Sequence, residues 1–155
     1  MTEVTTGIST EPLDVSDALA TASAPSCGAL GIFVGTVRTS AAVAGNADKP
    51  VVRLEYEAHL PLADSRLRSI AEEAASKWDL GRITARHRIG ACEVGEPTVV
   101  VACAAPHRAD ALEACRWIID TIKSTVPIWK LEVYADGSSW LGAEGSTDDA
   151  TESAT

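Results

Sequence analysis

Two of the chain's four lysines, Lys123 and Lys130, stand seven residues apart around the turn Val126-Pro127-Ile128-Trp129. An ammonium beside an apolar turn adds little to solubility. It is suited to holding an anion or meeting an electrophilic carbon. A lysine crowded by other cations, or drawn out of water, gives up its proton more readily and can work as base, acid or nucleophile near neutral pH. Each lysine also has a plainer reading. Lys123 falls in the last turn of an expected helix, where the dipole favours a cation by about 0.3–1 kcal/mol. Lys130 can be a solvated strand residue. The pair has chemical meaning only if two elements bring it to one pocket.

Two further cationic positions qualify. His107-Arg108 follows Ala104-Ala105-Pro106, where a strand gives way to a helix. Backbone N–H groups at such a start favour an anion, and an arginine adds a fork for phosphate oxygens. The alternative is a histidine cap and a solvated arginine. Arg38 ends the apolar run Gly31-Ile32-Phe33-Val34-Gly35-Thr36-Val37, as a ligand or as a surface charge. His59 and His87 belong to no constellation, so packing is expected of them. Cys27, Cys92, Cys103 and Cys115 form no CxxC pair and have no ligand spacing to histidine, so no metal site is expected. Cys103 and Cys115 fall on apolar positions and read as small core residues. The four tryptophans read as core or interface anchors.

The elements that must position these groups follow from periodicity. Asp14 can cap a short helix over 15–22. Gly28 to Val37 reads as a buried strand, and residues 39–50 as a small-residue loop that could serve as a lid. Residues 51–58 alternate, with Val52, Leu54, Tyr56 and Ala58 on one face. Residues 61–78 have helical spacing, ended by Gly81. Residues 83–89 form a strand with Arg82, Arg86 and Arg88 on a basic face. A turn at 93–97 leads to a central apolar strand over 98–104. Residues 108–123 form an amphipathic helix with Leu112, Cys115, Ile118, Ile119 and Ile122 inward. Pro127 stops it, a strand covers 128–134, and Asp136-Gly137 turns toward Trp140. Strands that neighbour one another in sequence favour an α+β class with a mixed, largely antiparallel sheet packed with helices.

The 155 residues fit one domain, with 46% apolar and 23% charged residues. The net charge of −9 is concentrated at the ends. Residues 1–27 and 143–155 each carry four acids and no base, whereas 28–142 carry 14 acids and 13 bases. The body can therefore hold a cationic pocket, and it lacks the basic face of a nucleic-acid binder. No apolar run is long enough for a membrane helix, and no basic-then-apolar leader opens the sequence, so a cytoplasmic location is expected. Residues 1–11 read as a flexible segment, 12–142 as the domain and 143–155 as a disordered acidic tail.

Several separated blocks, in order, resemble the large, catalytic subunit family of molybdopterin synthase. They are Phe33-Val34-Gly35-Thr36-Val37-Arg38, Leu54-Glu55-Tyr56-Glu57, His87-Arg88-Ile89-Gly90, Val94-Gly95-Glu96, Pro106-His107-Arg108, and Lys123 to Lys130 with Pro127 and Trp129. Asp136-Gly137 and Trp140 follow, so the likeness covers about residues 28–142.

The resemblance implies an alpha/beta-hammerhead-like fold and a sulfurtransferase of molybdenum cofactor biosynthesis, with no cofactor of its own. Cyclic pyranopterin monophosphate (precursor Z) would become molybdopterin by gaining two sulfurs as a dithiolene. The sulfur would arrive as a thiocarboxylate on the C-terminal Gly-Gly of a small ubiquitin-like partner. Lys123 and Lys130 would be catalytic. Arg38, His107 and Arg108, with Thr36, Val37 and Glu132, would hold the pterin phosphate. His107 and Arg108 would reach the neighbouring subunit's pocket in a homodimer, and a partner at each end would make a heterotetramer. Family members often carry a lysine where this chain has Thr36, and a basic residue where it has Leu131. These departures leave a non-catalytic anion- or partner-binding module as the rival reading, beside an unrelated Schiff-base enzyme using either lysine.

Overall fold

The central strand β6 (Pro97–Ala105) is buried over almost its whole length, as its unbroken run Val99-Val100-Val101-Ala102-Cys103-Ala104-Ala105 requires. A strand apolar on both sides must be covered on both sides. The computed structural model, which describes residues 1–41, 44–46 and 48–143, shows how. β6 pairs antiparallel with β2 (Ala29–Thr36) and β4 (Arg82–Arg88), and β1 (Glu3–Ser9) adds to β4 in parallel, giving the order β1-β4-β6-β2. Helix α1 (Val15–Ala22) covers one face of this sheet. Helices α2 (Leu60–Lys77) and α3 (Arg108–Thr125) pack on each other and cover the other face.

A second, fully antiparallel sheet has the order β5-β3-β7-β8, with β3 at Val51–Ala58, β5 at Gly90–Glu93, β7 at Ile128–Tyr134 and β8 at Ser139–Ala143. The chain passes from the first sheet to the second at Gly90, whose φ of +90° any side chain would strain. The α+β class and the largely antiparallel pairing are as expected, but the strands divide into two sheets.

Residues 1–11 are a correction. Their Thr and Ser content suggested a flexible segment, yet Glu3–Ser9 forms β1 in register with Arg82–Arg88, and Ile89 N–H donates to Ser9 O at 2.9 Å. Of the expected acidic tail, Ala143 closes β8 and residues 144–155 lie outside the described residues.

Local chemistry sets most element ends. Asp14 Oδ1 accepts from Asp17 N–H at 3.0 Å and starts α1. The basic face of β4 is structural. Arg86 pairs with Asp17 of α1 at 2.7 Å and Arg82 with Glu3 of β1 at 3.0 Å. Arg88 pairs with Glu96 in the turn before β6. Leu112, expected inside, is 58% exposed, and α3 turns Ala111, Ala114, Cys115, Ile118, Ile119 and Ile122 inward.

Cys103 and Cys115 are core residues, 0% and 4% exposed. Burial raises both thiols, Cys115 to about 11 from an ordinary 9.0. Native protein at pH 8 is expected to react with a thiol reagent at the half-exposed Cys27 alone, and at all four cysteines once unfolded. Because the folded value lies above the unfolded one, the thiol's contribution to stability is complete below about pH 9. It falls between about 9 and 11, as a urea-midpoint series across that range would read.

Candidate active site

Lys123 and Lys130 do converge. They line one cavity of about 390 Å³, together with Arg38, Glu132, Thr36, Tyr56 and six other residues. Three segments deliver the three cations. Arg38 follows β2, Lys123 sits in the last turn of α3, and Lys130 lies on β7.

Each is held by local structure. Val126 N–H donates to Ile122 O at 3.1 Å, closing the last turn of α3 before Pro127 forbids another. Arg66 of α2 donates through Nε to Thr125 Oγ1 at 3.1 Å, and His59 N–H donates to Pro127 O at 3.3 Å, tying this exit to the start of α2. Strand alternation puts Lys130, Glu132 and Tyr134 on the same face of β7. Across the pairing, Lys130 lies opposite Tyr56 and Glu132 opposite Leu54. A bulge at Gly35/Thr36 shifts the end of β2 against β6 just where the cavity wall needs it. Thr98 Oγ1 then donates to Gly35 O at 3.3 Å.

The cavity wall carries three cations and one acid, a formal +2 on a chain of −9. Lys123 is exposed at the mouth, Lys130 is half-buried and Glu132 is only 3% exposed. The arrangement favours a small anion, with one ammonium open to a second reactant arriving from solvent.

The other expected site residues divide. Thr36 lines the cavity. Val37 does not: it is 2% exposed in the core, and its backbone pairs with Glu96 O and Gly95 N–H. Val37 keeps the strand alternation of Gly31 and Phe33, whose face packs on the core, so its side chain does not reach the cavity and the substrate contact expected of it is withdrawn. His107 and Arg108 are exposed at the opposite end of α3, about 22 Å along the helix from Lys123, and do not line this cavity. His107 makes no side-chain cap bond.

Reading the sequence alone did not identify Tyr56, Leu54, Phe33, Ser40 or Thr98 as cavity residues. Alternation placed Leu54 and Tyr56 on one face, but only the β3–β7 register shows what that face meets. His87, expected to pack, is 1% exposed and meets Tyr56 edge to face at 5.2 Å between ring centroids.

Comparison with known proteins gives a consistent picture. The family model described as MoaE protein matches residues 8–125. The molybdopterin synthase catalytic subunit of Homo sapiens is 40% identical over 132 residues, covering 85% of this chain and 68% of its own length. The protein of that name from Halalkalibacterium halodurans is 36% identical over 154 residues, covering 99% and 96%. A solved structure of molybdopterin synthase from Staphylococcus aureus superposes with a TM-score of 0.79 at 32% identity, covering 88% of this chain and 95% of that one. The chain spans 57–68% of the length of its human, Arabidopsis thaliana and Bos taurus relatives. Among the described residues, no helix is long and apolar enough to cross a membrane.

Proposed function

This chain belongs to the MoaE protein family, and on that footing we propose that it is the catalytic subunit of a molybdopterin synthase, acting on precursor Z. The observation that carries the proposal is the convergence of Arg38, Lys123 and Lys130 on one cavity of an otherwise acidic chain. The substrate is a cyclic phosphate, so Arg38 and Lys130 offset its charge in a partly desolvated site. Sulfur comes as the C-terminal thiocarboxylate of a small ubiquitin-like carrier, whose extended tail approaches Lys123 at the mouth.

In each transfer a carbon–sulfur bond replaces a carbon–oxygen bond on the pterin side chain, the displaced oxygen staying on the phosphate as its cyclic ester opens or leaving as water, and the carrier's acyl–sulfur bond breaks. Water supplies the oxygen that returns the carrier to a carboxylate. Two transfers complete the dithiolene. Lys123 handles the proton or the acyl group at the thiocarboxylate, and Lys130 steadies negative charge developing on the pterin. The sulfur nucleophile is the carrier's own, which accords with the buried, protonated state of Cys103 and Cys115. A reaction containing the thiocarboxylated carrier, precursor Z and this chain tests the reading. Dithiolene product supports it; binding of precursor Z without turnover supports the non-catalytic rival.

A homodimer belongs to the same proposal. His107 and Arg108 project from the far end of α3, and in a two-fold pair they serve the neighbour's phosphate site. Lys123→Ala and Arg108→Ala are each expected to lose most activity. Mixing the two variants and letting protomers exchange should restore part of it, because mixed pairs contain one intact site. No recovery in mixed pairs, shown to form by mass, would assign Arg108 to some other task.

A further inference from the structure

Among the described residues, Glu132 is the one acid lining a cationic cavity, and it is nearly out of water. A carboxylate in that position needs donors to keep its charge and its geometry. One donor comes from further along the same face of β7. Tyr134 Oη donates to Glu132 Oε1 at 2.9 Å, and Tyr134 is 1% exposed and does not line the cavity. Asn46 Nδ2 donates to the same phenol oxygen at 3.1 Å. An amide N–H can only donate, so the tyrosine's own proton is directed to Glu132. Burial first, and the bond to Glu132 second, raise the phenol's pKa, so it remains a donor through neutral pH.

Asn46 belongs to the 3-10 turn Ala44–Asn46, in the segment that leaves the cavity at Ser40 and enters β3. Lys49 of the same segment donates to Ser138 Oγ at 3.2 Å, pairs with Asp136 at 3.6 Å and lies 5.8 Å from the centre of the Tyr134 ring. The segment is therefore fastened to the far end of the strand that carries Lys130 and Glu132.

We infer that Tyr134 and Asn46 are positioning residues for the proposed sulfur transfer: a two-step hydrogen-bond relay that fixes the Glu132 carboxylate on the cavity wall and links it to the seating of the turn Ala44–Asn46 and of Lys49. The inference rests on the functional reading above. It differs from simple core packing, because the phenol ring could fill the same space without its hydroxyl.

Tyr134→Phe keeps the ring and removes only the relay. With thiocarboxylated carrier and precursor Z, kcat is expected to fall about tenfold or more, as for a lost hydrogen bond to a charged group, with KM for precursor Z changing by less than about threefold. Asn46→Ala should act in the same direction, and the double variant should be no slower than Tyr134→Phe alone, because both work through one hydroxyl. Glu132→Gln combined with Tyr134→Phe should likewise show no multiplied loss. Multiplied losses, or a wild-type kcat in Tyr134→Phe, overturn the relay while an active wild-type protein leaves the sulfurtransferase reading intact.

A second readout needs no substrate. Lys49 N–H donates to Asn46 O at 2.9 Å and Val51 N–H to Thr39 O at 2.7 Å. Amide exchange at both should quicken in Tyr134→Phe and in Asn46→Ala. Unchanged exchange in both variants overturns the link to the turn Ala44–Asn46 and Lys49, even in a protein inactive on precursor Z.

Discussion

Lys123→Ala is expected to reduce kcat for dithiolene formation by about 10²–10⁴-fold, the range for removing a positioned proton-transfer group. Stability should change by no more than about 1 kcal/mol, because the side chain is exposed and its fold contribution is that of a cation at a helix end. Loss of chemistry with retention of fold separates a catalytic lysine from a structural one. Lys123→Arg sharpens the test. Arginine keeps the charge but neither releases its proton nor forms an acyl intermediate, so it should not restore turnover. If Arg restores the rate, Lys123 acts as a fixed charge. If Ala retains full activity, Lys123 has no part in the mechanism.

Gly31→Ala is expected to have the largest effect on the fold. A Cβ at Gly31 would lie 2.5 Å from Ala111 O, 2.8 Å from Ala111 C and 3.2 Å from Leu112 N, all backbone atoms in α3. Backbone cannot rotate away as a side-chain end does, so α3 must back off β2. Overpacking of this kind costs about 1–3 kcal/mol and should lower the urea midpoint accordingly. The cost should reach the cavity as well, since α3 runs unbroken from Arg108 to Thr125 and presents Lys123 in its last turn. Lower turnover in the folded fraction is therefore expected alongside lower stability. An unchanged midpoint would mean that helix and sheet are not in this close contact.

The parts of the fold legible in the sequence were those set by local chemistry. Asp14 marked the start of α1, Pro127 the end of α3, and alternation the strand β3, where Leu54 and Tyr56 face inward as expected but a register shift at Val51/Arg53 leaves Val52 39% exposed and buries Val51. Three strands escaped notice: β1 and β5 depend on partners distant in the chain, and β8, read only as the stretch after the Asp136-Gly137 turn, shows itself by its pairing with β7. Threonines in Glu3–Ser9 look like a loose end until Arg82–Arg88 lies beside them. Gly90–Glu93 is too short to show a period.

The site follows the same division. Residue type raised Arg38, Lys123 and Lys130 as candidates beside plainer readings as surface or helix-end charges, and their shared cavity depends on how β2, α3 and β7 pack. Tyr56, Tyr134 and Asn46 gave no such signal. Their relation to the cavity depends on β3–β7 register and on where residues 44–46 settle. Val37 lies on the core-facing side of β2, in phase with Gly31 and Phe33, and only the packing of α3 on that face shows which side is inward.

In the proposed function the cavity holding Lys123 and Lys130 installs sulfur from a carrier's thiocarboxylate onto a pterin phosphate. That transfer is tested most directly by charging the carrier with heavy-isotope sulfur, mixing it with this chain and precursor Z, and weighing the product. A dithiolene in which both sulfurs are heavy is expected from the wild-type chain and not from Lys123→Ala. Precursor Z recovered unchanged, or a product whose sulfur is light, would contradict it.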